Sequence, residues 1–178
     1  MTLDAHDPIP VPHARQPTVL VIGVGNRFAR DDGFGPAVLD RFRQLCPGVP
    51  AVETDGEAAR LVEAWDNADA VVIVDAVRSG SPPGTDHRIV LHTGLPADLG
   101  LESAPTSSHA AGVAEAWALG TAIGRTPERL ILLGVEGAEF GPGDQMTLDV
   151  ARAVPRTARA VEDEVRAVRA PADRSEAR

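Results

Sequence analysis

The sequence predicts an α/β fold, a mostly parallel sheet with helices on both faces, and three observations carry that prediction. "TVLVIGVG" (18–25), "DAVVIVDAV" (69–77) and "RLILLGV" (129–135) are short aliphatic runs, apolar at consecutive positions, as strands covered on both faces are. Helical periodicities separate them, and strands alternating with helices are joined by right-handed crossovers into a parallel sheet. A length of 178 residues with 43% apolar content suits one domain with a sizeable core.

Taken in order, residues 1–17 are rich in Pro and polar groups and read as a flexible tail ahead of a single domain at 18–169. After the first strand, Phe34, Val38, Phe42 and Leu45 share one helical face. "VPAVET" (49–54) is a weaker strand, and Leu61 with Trp65 marks the next helix. The 69–77 strand leads into the turn-rich "RSGSPPGT", and "HRIVLH" (87–92) alternates as an edge strand does. A helix follows from "TSSHAAG", with Val113, Trp117 and Ile123 on its apolar side and Ser107 or Ser108 as its cap. Beyond the 129–135 strand, Thr147 can cap a terminal helix that Pro155 interrupts, with Val154, Val161, Val165 and Val168 as its stripe. Residues 170–178 read as a second flexible tail.

Composition excludes several chemistries. The net charge is -9, and a surface that tracks phosphate backbones needs clustered basic residues, so nucleic acid is not expected as a partner. All 17 basic side chains are Arg and Tyr is absent, which removes Schiff-base and P-loop lysines and a tyrosine acid. Cys46 is the only cysteine, so no internal disulfide or Cys-pair zinc site can form, and beside Pro47 it reads as a small apolar filler. No apolar run approaches the ~20 residues that span a bilayer, and the N-terminus lacks a signal-peptide pattern. A cytoplasmic, monomeric protein is expected. "GVGNRFA" lacks the third glycine of a dinucleotide turn, and no G-x-S-x-G or H-E-x-x-H occurs. His87 and His92, at odd separation on one strand, face opposite sides.

In open α/β sheets ligands bind beyond the carboxyl ends of the strands. Acidic groups recur there: Asn26, Asp31 and Asp32 follow the first strand, Asp55 and Gly56 the second, and Asp75 ends the third, while His109 opens a helix. Carboxylates that share a rim raise one another's pKa unless a cation compensates. Asp32, Asp75 and His109 would make a mixed oxygen and nitrogen set with an open position, suited to Zn²⁺ or Ni²⁺ rather than Ca²⁺. Each is open to a plainer reading as a cap, a turn former or a satisfied polar residue. Of the adjacent pair, Asp31 is expected to be the solvated or capping member.

"GVGNRFARDDGFGPAV", "DG" at 55–56, "VVIVDAV" with Asp75, "PPGT" and "SSHAAGVAEA" occur in that order. Together they resemble the hydrogenase maturation proteases, from about Val19 to about Val168. The resemblance implies a twisted sheet of about five strands between helices with one strand antiparallel. It also implies an endopeptidase that removes a short C-terminal extension from the large-subunit precursor of a nickel-iron hydrogenase. Asp32, Asp75 and His109 match the family's nickel-recognising residues, and the nickel would arrive with the precursor rather than reside in the enzyme. The chain carries Asp at 32 where many relatives have Glu. Two other readings stand beside this one: a hydrolase with its own catalytic metal, and a non-catalytic nickel-binding chaperone.

Overall fold

The computed structural model describes residues 15–93 and 108–170. Its strands are β1 (Val19–Val24), β2 (Ala51–Thr54), β3 (Ala70–Val77), β4 (Asp86–His92) and β5 (Arg129–Glu136). Its helices are α1 (Phe34–Leu45), α2 (Ala58–Trp65), α3 (Ser108–Ile123) and α4 (Leu148–Arg169), with a 3-10 turn at Arg30–Gly33 running into α1. The strands form one sheet in the order β2-β1-β3-β5-β4. All neighbours are parallel except β4, which pairs antiparallel with β5 at the edge. The α/β class and its antiparallel edge strand are as expected.

The period-two alternation of the strands divides the interior into two layers. Val21, Val72 and Val74 point to the face covered by α1 and α4, where they meet Phe34, Phe42 and Val161. Ile22, Val71 and Ile73 point the other way, to α2 and α3, and pack with Trp65 and Trp117. β1 and β3 are buried at every position, which is why they read as continuous apolar runs. The Trp65 indole N–H donates to the Arg125 carbonyl at 2.8 Å, so the ring's polar edge is satisfied inside the core. Among the described residues, no helix is long and apolar enough to cross a membrane.

Three expectations need correction. β2 starts at Ala51, because Pro50 has no N–H to donate to the ladder; its carbonyl still accepts from Val21 at 3.0 Å. Ile123 is 52% exposed, since six residues beyond Trp117 the helix has turned about 240° away from the buried face. Pro155 does not interrupt α4, which runs through it from Leu148 to Arg169. The proline lies on the exposed side, while Val150, Ala153, Val161 and Val165 seat the helix on the core.

Candidate functional site at the carboxyl edge of the sheet

The carboxyl edge is shaped by glycines that let backbone approach backbone. β1 ends into Gly25, at φ +133°, where a Cβ would lie 1.9 Å from the Asp32 carbonyl oxygen. At Gly35, in the first turn of α1, a Cβ would lie 2.2 Å from the Val24 oxygen and 2.7 Å from the Val74 oxygen. The helix therefore sits directly on the ends of β1 and β3, and it carries the turn containing Asp32 down against the same edge.

Asp32 is 8% exposed and its Oδ2 accepts the Asn26 N–H at 2.8 Å. Asn26 in turn closes its own loop by accepting the Phe28 N–H at 2.9 Å. Asp75 is fully buried and follows Val74 in β3. Strand alternation puts it on the face of Val71 and Ile73, the one covered by α3, and it pairs in register with Gly134. α3 begins at Ser108, so His109 is in its first turn; Ser107 and the side chains of Ser108 and His109, and with them the expected cap, lie outside what the structure describes. Three residues further, a Cβ on Gly112 would meet the Gly56 oxygen at 2.3 Å. Gly56 belongs to the turn after β2, so this close approach holds the start of α3 at the carboxyl edge. Asp32, Asp75 and the backbone of His109 thus come to the carboxyl edge of the sheet from three separate elements.

Among the described side chains, which exclude that of His109, no three His, Cys, Asp or Glu converge as a metal-holding group. Asp55 stands on the surface, paired with Arg60 at 2.7 Å and accepting the Glu57 N–H at 3.3 Å. Cys46 packs against the α1/α4 core, and burial pushes its thiol up, as a filler rather than a nucleophile. His92 is exposed, while His87 turns to Glu136 at 3.1 Å.

Asp31 departs from expectation most. It is neither solvated nor a helix cap: it is fully buried and accepts N–H bonds from Ala138, Glu139 and Thr147 and the Thr147 hydroxyl, at 2.7–3.0 Å. Thr147 holds the cap position of α4, but its hydroxyl serves Asp31 rather than the helix. Glu136, 3% exposed at the end of β5, is a second buried acid not singled out in the sequence. It accepts the Ser79 and Gly80 N–H groups, the Ser79 hydroxyl and His87, and so ties down the loop that follows Asp75. Burial pushes its carboxyl up, but these hydrogen bonds outweigh that and leave it below the ordinary glutamate value. Adjacent acids and a Ser-Gly turn were the only sequence signals for either network.

Residues 49–164 match the family model HycI, hydrogenase maturation protease. The hydrogenase expression/formation protein HupD of Thiocapsa roseopersicina is 32% identical over 127 residues, covering 70% of this chain and 56% of that protein. HupD of Rhizobium leguminosarum bv. viciae is 28% identical over 166 residues, covering 91% of this chain and 79% of the relative. The chain therefore spans little more than half the length of the first of these relatives. Among solved structures, the hydrogenase maturating endopeptidase HybD from E. coli superposes with a TM-score of 0.69 at 25% identity, covering 84% of this chain and 92% of that one. The [NiFe] hydrogenase maturation protease HybD from Thermococcus kodakarensis shares the fold, with a TM-score of 0.65 at 22% identity over 83% of this chain and 98% of its own. The five-stranded sheet, the glycine-packed acidic edge and the match over 49–164 agree, and the chain belongs to the hydrogenase maturation protease family.

Proposed function

We propose that this protein is an endopeptidase that removes a short C-terminal extension from the nickel-loaded large-subunit precursor of a [NiFe] hydrogenase. The observation that carries the reading is the burial of Asp32 and Asp75 at the carboxyl edge, to which the Gly56–Gly112 approach also brings α3 with His109 in its first turn, in a chain of this family. Two carboxylates and an imidazole are a donor set suited to a borderline divalent ion. The ion is part of the substrate, held by the precursor's own cysteines, and Asp32, Asp75 and His109 recognise it and set the scissile peptide bond beside them. Hydrolysis adds water across that bond and frees the tail peptide. Cys46, the single thiol, is remote from this edge, packed near Val49 and α4, so a thiol nucleophile is not part of the reading.

The test is the intact mass of a large-subunit precursor, nickel-loaded or nickel-free, after incubation with the protein. Loss of a C-terminal peptide from the loaded form alone is expected, and Asp32→Asn, Asp75→Asn and His109→Ala should each lower the rate by about a hundredfold or more. Binding of the precursor with no mass change would favour a nickel-binding chaperone. Metal analysis of the purified protein should find far less than one equivalent; near one equivalent would favour a hydrolase with its own metal.

A further inference from the structure

Asp31 is a fully buried carboxylate that the proposed chemistry does not use, and it accepts four hydrogen bonds. Its Oδ2 accepts from Ala138 N–H at 2.8 Å, Glu139 N–H at 2.9 Å and the Thr147 hydroxyl at 3.0 Å, and its Oδ1 from Thr147 N–H at 2.7 Å. All four donors belong to the segment between β5 and α4, more than 100 residues away in sequence. The backbone adds to the seam: Arg30 N–H donates to Gly143 at 2.7 Å, Asp31 N–H to Glu139 at 2.9 Å and Gly143 N–H to Phe28 at 2.9 Å. Arg30 is held at φ +53°, in the left-handed region that a long side chain seldom occupies, so the seam fixes a backbone the segment would not adopt alone. The residue next to Asp31 is Asp32, whose carboxylate meets the Asn26 N–H at the other end of the same loop.

We infer that Asp31 is a positioning residue: by clamping the 138–147 segment onto the Arg30–Gly33 turn, it fixes where the Asp32 carboxylate stands at the carboxyl edge. This inference rests on the proposed function for its kinetic consequence but not for its structural one. Charge-assisted bonds to a buried carboxylate are the stronger kind, and losing one changes a local equilibrium by about tenfold or more. A small displacement of a substrate-positioning group lowers turnover more than it weakens docking of a large substrate.

The test uses the full chain with Thr147→Val, which removes one of the four donors at nearly constant shape, Thr147→Ser, which restores it, and Asp31→Asn. Amide hydrogen exchange is read at Asn26, which reports the Asp32 carboxylate, and at Ala138 and Glu139, which report the clamp. Thr147→Val is expected to speed exchange at all three by about tenfold and Thr147→Ser to return it to within about twofold of the parent. With nickel-loaded precursor, Thr147→Val should lower kcat by about tenfold with KM within about twofold. Faster exchange at Ala138 and Glu139 with Asn26 unchanged, in Thr147→Val and in Asp31→Asn if it folds, overturns the inference and leaves Asp31 a purely local clamp. Absence of cleavage by the parent chain would overturn the proposed function, while the Asn26 exchange would still decide this one.

Discussion

At the residue scale, the positions where chemistry is proposed are set by side chains that are not there. Gly112 is the clearest case, because a single methyl would be 2.3 Å from the Gly56 carbonyl oxygen, and both partners are backbone and cannot swing aside. Gly112→Ala is expected to cost about 1–3 kcal/mol of stability, read as a lowered thermal midpoint, and to move the first turn of α3 off the Asp55–Gly56 turn. Precursor cleavage should then fall further than the stability loss accounts for at a temperature where the variant is folded. Serine or any larger residue at 112 should do at least as much.

At the element scale, two features of the helices and strands carry measurable consequences. The entry to β1 and β3 is held by Asp69, which accepts the Arg15 guanidinium at 2.7 and 2.8 Å and the Thr18 N–H and hydroxyl. The Arg15 hydrogen bond first, and those from Thr18 after it, hold its carboxyl down at about 2. A depressed acid contributes stability above its unfolded value and loses it as pH falls through the folded one. Asp69→Asn should therefore lower the thermal midpoint at neutral pH, and the difference from the parent should shrink between about pH 4 and pH 2. α4 gives the opposite sign. Pro155 lies exposed in its interior and supplies no N–H to the Ala151 carbonyl, so Pro155→Ala is expected to stabilise the chain by about 1–2 kcal/mol in chemical denaturation.

At the scale of the whole molecule, each face of the sheet is closed by its own pair of helices, α1 with α4 and α2 with α3. Phe42 and Trp65 are buried in opposite layers, and truncating either to Ala is expected to cost about 3–5 kcal/mol, read from equilibrium unfolding. The site lies across the layers: Asp32 comes with α1 from one face, Asp75 points to the other, and α3 brings the His109 backbone from that second face.

How much of this was legible in the sequence follows from which forces are local. Aliphatic runs, helical stripes and turn residues record burial and backbone preference within a few residues, so all five strands and four helices were readable, as were Asp32 in the turn after β1 and His109 at a helix start; Asp75, expected to end its strand, lies two residues inside β3, which pairs with β5 as far as Val77. The family motif was readable for the same reason, since its glycines and acids are contiguous. Pro155 and Ile123 misled because a proline on a solvent face and an apolar residue at a helix end are tolerated once the opposite face is packed. The hydrogen-bond networks of Asp31 and Glu136 could not be read beyond the adjacent acids and the Ser-Gly turn. Their partners are backbone groups, the Thr147 and Ser79 hydroxyls and His87, on other elements at separations of up to 116 and 57 residues, and only the path of the folded chain brings donor to acceptor. Sequence alone determined the elements, the edge on which acids gather and the family; tertiary structure alone decided which acids are held in place and by what, because a buried carboxylate is defined by donors the chain supplies from a distance.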